Sequence, residues 1–224
     1  MIKLIIFDWD DVITLGAKEG YFACYHSAIS AVGVQLSPEE ERKRIMAKWG
    51  KSFEAETQEL LKDNPELVER ACAFFKKEFW GDAFVNALKL TPGINETLLR
   101  LKEKYVLAVA TGNNYKMITE RIMPRFNIPP VFAQISASHQ VEDQEKTKPH
   151  PFMLLEIMRK QMVKPEETVF VGDAKSDMQM AKNASVTPIA VLSGHLTRKD
   201  AEDMGVQYII EDATHLESII ETIS

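Results

Sequence analysis

Asp8, Asp10 and Asp11 follow directly on a short apolar run, Leu4-Ile5-Ile6-Phe7, whose pattern is that of a buried strand. Carboxylates crowded this closely repel one another and are costly to keep ionised unless a cation sits among them. They predict a divalent-metal site, and with it a nucleophile, at the end of the first strand. Further along, Thr111-Gly112-Asn113-Asn114 offers a hydroxyl and amides, Lys148-Pro149-His150-Pro151 an ammonium, and Gly172-Asp173 with Asp177 two more carboxylates. Each type suits phosphoryl transfer, where catalysis is mostly positioning plus stabilisation of charge spread over three oxygens. A carboxylate can attack phosphorus and split one hard displacement into two easier ones. Mg²⁺ takes hard oxygen ligands and keeps several waters, so two or three carboxylates plus a phosphate suffice to hold it. A threonine hydroxyl and backbone N–H groups can hold phosphate oxygens, and a lysine balances their charge.

These residues act together only if one edge of the fold collects them. Short β-branched runs at residues 3–7, 106–110, 131–135, 168–171, 189–192 and 207–210 read as strands. Helical spacing fills the gaps at 95–104, 115–126, 151–161, 176–184 and 197–204. The alternation predicts an α/β fold, a doubly wound parallel sheet covered by helices and joined by right-handed crossovers. Such a sheet delivers its strand C-termini to one edge, where ligands bind. The chemistry-bearing residues fall at those ends.

Residues 16–87 break the alternation. Tyr21, Phe22, Tyr25, Ala28, Ile29 and Val32 recur at helical spacing, and Asn64-Pro65-Glu66 reads as an N-cap with proline at the first helical position. The expected organisation is an α/β core of residues 1–15 and 88–224 with an all-helical insert between its parts.

With 224 residues, 45% hydrophobic and 27% charged, the chain has the composition of a soluble globular protein. A net charge of −6 without a basic stripe argues against a nucleic-acid surface. The run Glu39-Glu40-Glu41-Arg42-Lys43-Arg44 reads as a solvated helix face. Two unclustered cysteines, Cys24 and Cys72, and the lack of a long apolar segment predict a reduced, cytoplasmic protein that is neither secreted nor membrane-spanning. His26 reads as structural, and His195 has no metal-ligand spacing.

The motifs Asp8-Trp9-Asp10-Asp11-Val12-Ile13-Thr14, Ala110-Thr111-Gly112-Asn113, Lys148-Pro149-His150-Pro151 and Gly172-Asp173-Ala174-Lys175-Ser176-Asp177 stand in the order seen in the haloacid dehalogenase superfamily. The chain resembles the phosphatase-like branch with a helical cap, and is most similar to phosphoglycolate phosphatases and β-phosphoglucomutase-like phosphatases. The resemblance implies a Rossmann-like core, with Asp8 as nucleophile and Asp10 as general acid toward the leaving oxygen and then base toward water. It implies Thr111, Gly112, Asn113 and Lys148 at the phosphate, Lys148 being part of the catalytic set. It implies Mg²⁺ held by Asp8, Asp173 and the backbone carbonyl of Asp10, with Asp177 acting behind them or through water. Two positions depart from the pattern: Asp11 stands where glycine is usual, and Leu15 where an acidic residue is frequent.

The expected activity is Mg²⁺-dependent hydrolysis of a small phosphate monoester, such as phosphoglycolate or a sugar phosphate, with the cap closing over it and excluding bulk water. A mutase would pass the same aspartyl-phosphate to a second sugar hydroxyl. A dehalogenase would need neither metal nor Asp10. A phosphonate-cleaving relative would need a Schiff-base lysine, for which Lys18, Lys48 and Lys51 are the candidates. A receiver-like phospho-acceptor switch would keep its aspartyl-phosphate for binding rather than turnover.

Overall fold

The first strand, β1 (Leu4–Phe7), has no solvent-accessible side chain: Leu4, Ile5, Ile6 and Phe7 are each 0% exposed. An unbroken apolar run is what a strand covered on both faces requires. The structure, a computed structural model, describes residues 1–48 and 52–223. Around β1 lies a six-stranded sheet containing β4 (Val106–Thr111), β5 (Phe132–Ala137), β6 (Thr168–Gly172), β7 (Thr187–Val191) and β8 (Tyr208–Ile210). The order is β5-β4-β1-β6-β7-β8, and every pairing is parallel. The chain builds outward on one side of β1, returns, and builds outward on the other. The order therefore reverses between β1 and β6, which is where an open α/β sheet presents its ligand crevice.

The chain divides into two compact units, residues 1–15 with 89–224 and residues 16–88. The passage between them runs through β2 (Thr14–Leu15) and β3 (Lys89–Leu90), an antiparallel pair within the first unit. The second unit is helical: α1 (Ala17–Ala31), α2 (Pro38–Ala47), α3 (Phe53–Leu60), α4 (Val68–Trp80) and α5 (Ala83–Ala87). Its interior is aromatic. Tyr25 stacks on Phe75 at 4.4 Å between ring centroids, and Phe53 stacks on the same ring at 5.3 Å. The Tyr25 hydroxyl donates to the Glu56 carboxylate, which satisfies its polar tip.

Two details of this unit differ from the sequence reading. Glu41 is 7% exposed and hydrogen-bonds His26 Nδ1 at 2.9 Å, so the acidic run is not wholly solvated and His26 is a structural partner. Asn64 places no side-chain bond on the helix after it; Pro65–Leu67 form a 3₁₀ turn before α4 begins. Lys51, one of the candidate lysines, lies outside the described residues, and Lys48 is exposed.

In the α/β unit the crossover helices are α6 (Ile94–Lys102), α7 (Met123–Arg125), α8 (Phe152–Gln161), α9 (Lys175–Asn183) and α10 (Arg198–Asp203), and α11 (Leu216–Ile220) follows the last strand. Met153, Leu154 and Ile157 of α8 and Met180 and Ala181 of α9 pack with Leu4, Ile6, Ala108, Ala110 and Phe170 from the sheet. The helix expected over residues 115–126 runs over 115–125, with its turns widened to the π type at Met117–Ile122 before α7. Pro124 has no N–H and would crowd the carbonyl four residues back, and the widened turn just before it accommodates the ring. Among the described residues no helix is long and apolar enough to cross a membrane. Cys24 and Cys72 are buried free thiols.

Candidate active site

Asp8 and Asp173 are 165 positions apart in the chain but follow immediately on β1 and β6, neighbours across the reversal of strand order. Asp8 is 7% exposed and Asp173 3%. The loop after β1 is shaped by the Trp9 carbonyl, which accepts from the N–H groups of Val12, Ile13 and Thr14 at 3.3, 2.8 and 3.2 Å. The Trp9 ring itself is buried, edge-on to Phe132, which leaves Asp8 and Asp10 on either side of it in the chain. Asp11 closes the turn with φ 56°, a left-handed conformation that glycine adopts without cost. That is the physical reason for glycine at this place in the motif.

Lys148 ties the nucleophile candidate to the next motif. Its Nζ lies 2.8 Å from Asp8 Oδ2 and 2.8 Å from Asp177 Oδ1. Asp177 is fully buried, and its other oxygen accepts from the N–H groups of Asp173 and Ala174 at 3.2 and 3.0 Å. Asp177 thus caps the start of α9 and orients Lys148 at the same time. Two glycines make room for these carboxylates: a Cβ at Gly172 would stand 2.5 Å from Asp177 Cβ, and one at Gly194 only 2.0 Å from Asp173 Oδ2. The 193–196 segment is drawn over the site by backbone bonds, His195 N–H to Asp173 Oδ2 at 3.0 Å and Leu196 N–H to the Asp173 carbonyl at 2.7 Å. The Ser193 hydroxyl also donates to the Asp11 carbonyl at 2.6 Å.

From β4, Thr111 is fully buried; its Oγ1 accepts the Asn113 N–H at 3.0 Å and keeps its own O–H as a donor. Gly112 is exposed, and a Cβ there would meet nothing within 4 Å. Asn113, expected at the phosphate, makes its side-chain contacts within the loop and to Asp10. Its Oδ1 accepts the Asn114 N–H at 2.6 Å, and its Nδ2 lies 3.0 Å from each oxygen of Asp10.

Crowding shifts the acids. Desolvation raises Asp8 above the usual carboxylate range; Lys148 opposes that push and the Asp177 charge adds to it. Asp173 is raised by desolvation and then by the charges of Asp177 and Asp8. Asp10 is pushed up to about 8, by desolvation first and by the Asp8 charge second, with the Asn113 hydrogen bond pulling the other way. Burial works to lower the Lys148 ammonium, and Asp177 and Asp8 together more than reverse it.

The donor set fits a hard divalent cation. Asp8, Asp173 and Asp177 each bring a carboxylate oxygen within 4.8 Å of the others, with one ammonium against three acids. Asp11, Asp173 and His195 form a second such group. Chain spacing did not single out His195, because its approach depends on the fold of the 193–196 segment. Among the described residues the Asp10 carboxylate belongs to neither group.

The sequence profile of the family described as haloacid dehalogenase-like hydrolase matches residues 5–191. The chain belongs to that family. Among curated haloacid dehalogenase-like relatives it is 24% identical to a phosphoglycolate phosphatase of Haemophilus influenzae, over 97% of this chain and 98% of the relative. It is 29% identical to a phosphorylated carbohydrates phosphatase of Thermotoga maritima, over 84% of each chain. A glyceraldehyde 3-phosphate phosphatase of Pyrococcus furiosus is 26% identical over 98% of this chain and 93% of its own length. The crystal structure of a predicted phosphoglycolate phosphatase from Haemophilus somnus superposes with a TM-score of 0.82 at 23% identity, covering 98% of both chains.

Proposed function

We propose that this haloacid dehalogenase-like hydrolase is a phosphatase of small phosphate monoesters that works through an aspartyl-phosphate on Asp8 and depends on Mg²⁺. The observation that carries the reading is the convergence of Asp8, Asp173 and Asp177 on one cluster, with Lys148 bridging two of them. When bound, Mg²⁺ would be held by Asp8 and Asp173 with Asp177 beside them, and would supply positive charge against the phosphate and the nucleophile.

The protein's own residues account for the rest of the chemistry. A carboxylate oxygen of Asp8 bonds to phosphorus as the bond from phosphorus to the leaving oxygen breaks. Asp10, protonated at neutral pH by its raised pKa of about 8, gives its proton to that oxygen. The resulting Asp10 carboxylate then takes a proton from water, whose oxygen attacks the phosphorus of the aspartyl-phosphate. Inorganic phosphate leaves and Asp8 is restored. Lys148 offsets the charge of Asp8 and the transferring group, and the Thr111 hydroxyl donates to a phosphate oxygen. The open space over Gly112 leaves room for the substrate beside Thr111.

The substrate class rests on the relatives, which act on phosphoglycolate, phosphorylated carbohydrates and glyceraldehyde 3-phosphate. The test is a phosphate-release screen over small phosphorylated metabolites, with Mg²⁺ and with chelator. Release that needs Mg²⁺ and is abolished by Asp8→Asn, in a variant with an unchanged thermal transition, supports the reading. Full activity in Asp8→Asn removes Asp8 from the nucleophile's place. Isomerised sugar phosphate without free phosphate would replace hydrolysis by a mutase reaction.

A further inference from the structure

Asp8 and Asp10 are two residues apart and are held by opposite kinds of partner. Asp8 rests on a cation, the Lys148 ammonium at 2.8 Å. Asp10 rests on a neutral amide, Asn113 Nδ2, which lies 3.0 Å from Oδ1 and 3.0 Å from Oδ2. Among the described residues Asn113 is the side chain that hydrogen-bonds Asp10. Asn113 is 2% exposed and has every polar side-chain atom engaged. The orientation of its amide is fixed by chemistry: Oδ1 faces the Asn114 N–H, which can only donate, so the NH₂ end must face Asp10. Its main chain is anchored as well, through the N–H bond to Thr111 Oγ1.

We propose that Asn113 is a positioning residue, holding the Asp10 carboxyl in place for proton transfer to the leaving oxygen and from water. This rests on the phosphatase reading above. A donor equidistant from both oxygens fixes the plane of the group without choosing between them. Either oxygen can carry the proton while the other keeps the amide bond, so the carboxyl stays in place as it passes from acid to base. A cation in the same place would hold the ionised form and oppose proton donation; an amide adds no net charge. The pairing of one acid with ammonium and its neighbour with amide separates their tasks by environment.

Asn113→Ala removes both the clamp and the turn contact, whereas Asn113→Ser keeps a short acceptor for the Asn114 N–H and cannot span to Asp10. Each is compared with the wild type in Mg²⁺ on p-nitrophenyl phosphate, whose leaving phenolate needs no proton, and on whichever alkyl phosphate the screen identifies. For both variants, kcat/KM on the alkyl phosphate should fall by roughly 10- to 100-fold, a share of what positioned acid–base catalysis supplies. On the nitrophenyl ester kcat/KM should change by no more than about threefold, with a burst of nitrophenol as hydrolysis of the aspartyl-phosphate becomes limiting. An equal loss on both substrates would mean that Asn113 serves phosphate binding or merely the fold, and no loss on either would leave it idle; both outcomes overturn the proposal. Thermal unfolding of the serine variant at the wild-type midpoint excludes a folding defect, and a lowered midpoint with equal losses counts against it. If the wild type releases phosphate from neither ester, the phosphatase reading falls first and the positioning role with it.

Discussion

Replacing Lys148 by methionine keeps most of the side-chain volume and deletes the one ammonium shared by Asp8 and Asp177. The contacts are 2.8 Å each; the Lys148 and Asp8 side chains are 11% exposed and the Asp177 side chain 0%, so water screens little of the attraction. With an effective dielectric of about 20, a unit pair at that separation is worth roughly 6 kcal/mol before desolvation. Much of this is offset in the native protein by the cost of burying the three ions. What the substitution leaves is two acids without their counter-charge, for which removal of one partner costs roughly 3–5 kcal/mol. The loss must depend on pH. Without Lys148 the folded-state pKa of Asp8, already raised, climbs further above its unfolded value, so folding retains a proton that the unfolded chain releases. The penalty is then small near pH 4, grows as pH climbs through the raised folded value of Asp8, and is complete above it. Urea unfolding in chelator, followed by circular dichroism, should show the difference between variant and wild type larger at pH 8 than at pH 5. Adding Asp8→Asn to Lys148→Met should recover part of it by removing one stranded charge. A difference below about 1 kcal/mol, or one unchanged between the two pH values, would refute the claim that Lys148 serves as counter-ion to both carboxylates.

The same linkage applies to the unmodified protein in chelator. Asp10 is raised to about 8, and Asp8 and Asp173 are raised too, so stability should fall as pH rises from about 4 to about 8 and level off above; a thermal midpoint that climbs over this range would contradict the assignment. Mg²⁺ should flatten that slope by supplying the missing counter-charge. Asp173→Asn should raise the Mg²⁺ concentration for half-maximal phosphate release by on the order of tenfold or more, and an unchanged titration would take Asp173 out of the metal site. Asp11→Gly relieves the left-handed backbone and removes a charge that raises both Asp10 and Asp173. It should stabilise the fold by up to about 1 kcal/mol and leave the rate equal or higher, whereas a collapse in rate would assign Asp11 a part in turnover.

The sheet was legible because strands buried on both faces must be continuous apolar runs, and 4–7, 106–110 and 169–171 are such runs. The positions of Asp8, Thr111 and Asp173 followed, since each comes within one residue of the end of a strand. What escaped was contact between segments remote in the chain. Nothing near Asn113 in sequence announces that its amide will meet Asp10, 103 residues away. His195 is brought toward Asp173 only because Gly194 lets the backbone pass over a carboxylate. Asn64 before Pro65 marked a helical start whose side-chain cap bond does not form, and the widening inside the helix before Pro124 left no trace in the apolar spacing.

The antiparallel pair β2–β3 joins Thr14 to Leu90 and Leu15 to Lys89, so the seventy-odd residues between them leave the core and re-enter it at neighbouring points. Seen from the sheet, so long a detour is equivalent to a tight hairpin. Its length adds only slowly to the entropy of closing the chain, and its contents can be exchanged without disturbing the register of any parallel strand. Whatever is rewritten beyond this doorway, the acids at the strand ends stay as they are.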